Sequence, residues 1–86
     1  MTAMNLIGRL IAVSDALSEA GGLTRSQQSY QIFRDQRRLD RAFAGTVDLR
    51  LRSYESAMQW FSENWPDGTP WPERVERPSP ERKQDA

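Results

Sequence analysis

The residues with most capacity for chemistry lie between Gly21 and Arg41, in the stretch GGLTRSQQSYQIFRDQRRLDR. Arg25, Arg34, Arg37, Arg38 and Arg41 bring guanidinium forks, which hold phosphate or carboxylate through paired hydrogen bonds. Gln27 and Gln28 bring amides that can pair bidentately with adenine. Ser26 and Ser29 add hydroxyls of the kind that bind phosphate oxygens. This is the chemistry of recognition, directed at DNA phosphates and bases or at an acidic protein surface.

Catalysis has few instruments in this chain. There is no Cys and no His, which removes thiolate nucleophiles, imidazole bases, disulfides and the common zinc sites. Asp15 and Glu19 share a helical face, but an acid pair on a surface helix is ordinarily solvated charge. No glycine-rich phosphate loop is present, and no serine has an imidazole to activate it. The single lysine, Lys83, lies close to the C-terminal end. The expectation is a non-enzymatic binding protein with no cofactor and no metal. Residues 2–20 carry Arg9, Asp15 and Glu19 and so read neither as a signal peptide nor as a membrane span. A cysteine-free chain suits a reducing cytoplasm, the expected location, with no membrane partner.

The formal net charge is zero, and its distribution is uneven. Residues 25–52 hold seven Arg against Asp35, Asp40 and Asp48, a local excess of four positive charges. Residues 1–24 sum to −1 and residues 53–86 to −3. For any single arginine, pairing with a neighbour such as Asp35 or Asp40 is the ordinary outcome and contributes little.

The elements that must position these groups are helical. Leu6, Leu10, Val13, Leu17 and Ala20 recur at steps of four and three, with Ile7 and Ile11 beside them, and predict a helix from about Asn5 to Ala20. Gly21 and Gly22 end it. Thr24 and Gln27 form a capping-box pattern that starts a second helix at Arg25, in which only Tyr30, Ile32 and Phe33 are apolar. A short third helix around Leu39, Ala42 and Phe43 closes at Gly45. Asp48 is a candidate N-cap for a fourth, along which Val47, Leu51, Tyr54, Met58, Phe61 and Trp65 form the strongest apolar stripe, with Ala57 and Trp60 beside it. All five prolines follow Trp65. The Pro-Asp-Gly turn in WPDGTPWPE can fold Trp71 back on the fourth helix. From Glu73 the chain is charged and Pro-rich and reads as a flexible tail. The fold expected is therefore all-α, four helices within residues 1–72 and a tail over 73–86. A chain this short buries only about 60 to 65% of its unfolded surface, so the core must be small.

An amphipathic helix, a glycine turn and a capped polar helix over Leu6–Phe33 outline a helix-turn-helix. Within it, QQSYQIFRD resembles the recognition helix of lambdoid phage repressors. That resemblance implies Gln27 and Gln28 at base-contacting positions, Ser29 near phosphate, and Tyr30 and Phe33 in the core. The wider span from Leu6 to Pro66, with LIAVSDALSEAGGLTRS and YESAMQWFSENWP, is similar to small helix-turn-helix proteins of phage and prophage origin in alphaproteobacteria. One departure stands out: the family's spacing, counted from Gly22, puts the apolar positions on Gln28 and Gln31, whereas using Tyr30 and Phe33 needs a turn longer by two residues.

Two functions follow. The first is a small transcription regulator binding double-stranded DNA through residues 25–38, as a homodimer because a lone module holds a half-site weakly. The second is an anti-CRISPR-like inhibitor that reuses the same scaffold to bind a bacterial defence protein complex. In either case the contact residues are Arg25, Ser26, Gln27, Gln28, Ser29, Arg34, Arg37, Arg38 and Arg41.

Overall fold

The first helix, α1 (Leu6–Glu19), starts where Asn5 turns its side chain onto the backbone: its Oδ1 accepts from the Gly8 N–H at 2.7 Å. It stops in a Schellman arrangement, with the Gly22 N–H donating to the Leu17 carbonyl and the Gly21 N–H to the Ser18 carbonyl, each at 3.1 Å. Gly21 has φ +85°, which glycine adopts without steric cost. Gly22 is in a crowded position, since a Cβ there would come within 2.7 Å of Leu17 Cδ1 and 3.0 Å of the Leu17 carbonyl oxygen.

In α2 (Arg25–Phe33) the predicted capping box is formed, with Gln27 N–H donating to Thr24 Oγ1 and Thr24 N–H donating to Gln27 Oε1. Then come α3 (Arg38–Ala44), which closes on Gly45, and α4 (Leu51–Glu63). This computed structural model describes residues 5–45 and 49–79, and among them there are four helices and no strand. Val47 and the expected N-cap Asp48 lie outside the described residues; the residue preceding α4, Arg50, makes no side-chain cap.

The core is the meeting of α1 and α4, closed from one side by α2 and α3. Leu10, Val13 and Leu17 from α1, Leu39 from α3, and Ala57, Met58, Phe61 and Trp65 from α4 and its end are buried together. Their spacing is why each amphipathic helix buries one stripe. Two apolar residues depart from expectation. Leu51, placed in the stripe of α4, is 59% exposed, and the buried positions of that helix are Ala57, Met58, Phe61 and Ser62. Tyr30, expected in the core, is 44% exposed, and α2 instead turns Gln28, Ser29, Ile32 and Phe33 inward.

Beyond α4 the Pro66–Thr69 turn forms, and Trp65 Nε1 donates to the Thr69 carbonyl at 2.8 Å. Trp71 returns to α4 as expected, its ring 4.7 Å from that of Trp65. The flexible tail expected from Glu73 is corrected for residues 73–79, which form a strap along α4. Val75 is buried in the core, and Trp71 Nε1 donates to its carbonyl at 2.7 Å. Arg77 donates to both the hydroxyl and the carbonyl of Ser62, and its guanidinium lies 5.3 Å from the Trp71 ring centre. One buried valine and backbone carbonyls taken up by Ser62 and Gln59 hold down a segment whose composition is otherwise that of a solvated tail.

Candidate nucleic-acid interface

Of the nine contact residues expected from the sequence, the fold withdraws several from the surface. Gln28 sits at the fourth position of α2 and faces α1, fully buried. Its Oε1 accepts from the Ser14 hydroxyl at 2.6 Å, while Nε2 faces the Leu23 carbonyl at 2.7 Å, the Ser18 hydroxyl at 3.1 Å and the Ser14 carbonyl at 3.3 Å. Both the oxygen and the nitrogen of the amide are engaged, so pulling it out to meet a base would break these bonds and strand the Ser14 hydroxyl. The expectation that Gln28 reads a base is therefore overturned.

Ser29 is corrected in the same way. It is fully buried, its hydroxyl donates to the Asp35 carbonyl, and it accepts from the Leu39 N–H at 3.0 Å. One hydroxyl thus ties α2, the connecting turn and the first turn of α3 together. Gln27 is exposed but serves the capping box, and Ser26 is exposed beside it.

Arg25 is consumed by its neighbours. Its Nη2 meets Asp15 at 2.8 Å, its Nη1 meets Asp40 at 3.4 Å, and the guanidinium lies 4.8 Å over the Phe43 ring. A phosphate ligand needs its charge unspent, whereas this one clamps α1, α2 and α3.

The remaining arginines gather at the α2–α3 corner. Arg34 caps α2 in the left-handed conformation, φ 60°, with its guanidinium 5.6 Å from the Tyr30 ring centre. Arg37 immediately precedes α3; its backbone N–H donates to Asp35 Oδ1 at 2.9 Å and its side chain is exposed. Arg38 lies 4.8 Å over Phe33. Arg41 pairs with Asp35 at 3.6 Å. Among the described residues Arg34, Arg37 and Arg38 have no carboxylate partner. Tyr30, Arg34, Asp35, Gln36 and Arg37 line a shallow depression of about 430 Å³. Sequence reasoning missed Tyr30 and Gln36 as surface groups; the signal available for Tyr30 was the family spacing, which already made residue 28 an inward position.

A second concavity of about 460 Å³ lies on another side, between Arg9 of α1, Tyr54, Glu55, Met58 and Gln59 of α4, and Glu76 and Pro78 of the strap. Among the described residues no group of three or more His, Cys, Asp or Glu could hold a metal ion, and no helix is long and apolar enough to cross a membrane. Comparison with protein-family models, curated proteins and solved structures finds no match to this chain.

Proposed function

We propose that this chain is a non-enzymatic DNA-binding protein, a small regulator of a phage or other mobile element, which meets the duplex with α2, the turn 34–37 and α3. The helix-turn-helix of this reading is α2–α3, one helix later than the sequence suggested. Four residues separate the two helices, the usual length of such a turn, and α2 packs more extensively on α3 than on any other element.

The observation that carries the reading is a charge imbalance. Asp15 and Asp40 are taken by Arg25, and Asp35 by Arg41 and the Arg37 N–H, which leaves Arg34, Arg37 and Arg38 without a carboxylate partner among the described residues. Clustered cations repel one another unless an anion joins them, and a polyphosphate backbone supplies anions at regular spacing. Arg also suits phosphate by its planar fork. With so few contacts per chain, useful affinity on DNA calls for a homodimer. Titration of a labelled duplex between about 50 and 200 mM salt tests this, with affinity falling steeply and linearly on logarithmic axes. Binding no tighter than the nonspecific range of about 10⁻⁴ to 10⁻⁶ M at physiological salt, with no sequence enriched from random DNA, sinks the reading.

The second reading, inhibition of a bacterial defence complex through a protein contact, is favoured by one observation: Tyr30 and Arg34, both of types enriched at protein interfaces, stand exposed together. A protein partner captured from bacterial lysate that survives nuclease treatment would support it.

A further inference from the structure

Arg34 is the only non-glycine residue with positive φ among the described residues. An arginine there is costly, because the left-handed region crowds Cβ against the following carbonyl. Helices that end this way usually place Gly or Asn at the position, and this chain uses glycine at the ends of α1 and α3. Local stability alone gives no reason for an arginine at residue 34, and strain of this kind concentrates where a side chain is used.

The side chain has a defined setting. Tyr30, one helical turn earlier, has its ring centre 5.6 Å from the guanidinium, within the range in which ring and cation attract. Arg37 and Gln36 line the same depression. Asp35 also lines it, but its Oδ1 accepts from the Arg37 N–H and its Oδ2 faces Arg41 at 3.6 Å, so its charge is engaged within the turn. The corner therefore offers an incoming anion one neutral amide and two arginines without carboxylate partners among the described residues, one of them beside an aromatic ring.

We propose that Tyr30, Arg34 and Arg37 form a preorganised clamp for one phosphodiester of a nucleic-acid backbone, with Arg34 binding it through two parallel N–H donors. The clamp rests on the DNA-binding reading above and adds a geometry and Tyr30 to it. Prior orientation matters because a free arginine gives up rotamer freedom on binding, whereas one held on a ring has already lost it.

The probe is a short fluorescein-labelled duplex of arbitrary sequence, since a phosphate contact requires no particular bases. Arg34→Gly should melt no lower than the wild type, yet bind more weakly, with a salt-dependence slope smaller by about one. Arg34→Lys keeps the charge and loses the fork, and should retain the slope while binding several-fold more weakly. Tyr30→Leu, which frees the guanidinium, should resemble Arg34→Lys. If the wild type binds and Arg34→Gly and Arg34→Lys bind equally well, the clamp is wrong while the DNA reading stands. If Arg34→Lys alone matches the wild type, Arg34 is a simple point charge and the clamp is equally wrong. If the wild type binds no duplex, both fall, and the corner is left to an acidic protein surface.

Discussion

Ser14 and Gln28 meet across the α1–α2 contact, hydroxyl to amide oxygen at 2.6 Å, and both are fully buried. A buried amide is tolerated only when its donors and acceptors are met, and here α1 and the Leu23 carbonyl meet them. Gln28 thereby fixes how α2 lies on α1, which sets where the α2–α3 corner points.

Gln28→Ala should destabilise by about 2 to 4 kcal/mol, because it leaves a void and strips the buried Ser14 hydroxyl of its acceptor. Thermal melting measures it. Adding Ser14→Ala should cost less than the two single changes summed, since both remove one interaction. Strict additivity would show that the pair is not coupled.

Phe61 is completely buried in the centre of the core. Phe61→Ala should cost about 3 to 5 kcal/mol, a large share of what a small domain has. An unchanged melting midpoint would place this residue on the surface and refute the packing of α4 on α1.

The strap makes a prediction opposite to that of a free tail. Deleting residues 74–86 should lower the melting temperature clearly, as it removes buried Val75 and the Arg77 contacts to Ser62. Val75→Ala alone should account for about 2 kcal/mol. Should the deletion melt like the full chain, residues 73–79 contribute nothing to stability.

Arg25 and Arg37 should separate by role. Arg25→Ala loses two partly exposed ion pairs and the contact with Phe43, and should cost about 1 kcal/mol of stability. Arg37→Ala should melt like the wild type but bind duplex DNA with a salt slope smaller by about one. The reverse pattern would exchange their assignments.

What the sequence by itself determined is the set of local structures, because their causes are local. The Thr24–Gln27 capping box, the Gly21–Gly22 stop and the closure of α3 at Gly45 each depend on residues a few positions apart, and each formed where the sequence placed it. The stripe from Met58 to Trp65 was legible in the same way, since a helix of known period can turn only one face inward. The charge excess between residues 25 and 52 was legible, but not which arginines would keep their charge. Only the tertiary structure decided that, by bringing Asp15 and Asp40, ten and fifteen positions from Arg25, onto it, while Arg34 and Arg37 met no acid among the described residues. It also decided that Gln28 faces inward, because a glutamine is buried only where distant groups such as the Ser14 hydroxyl satisfy it. The strap was hidden for a related reason: Val75 is a single apolar residue among charged ones, and a lone valine has no period that could announce its burial.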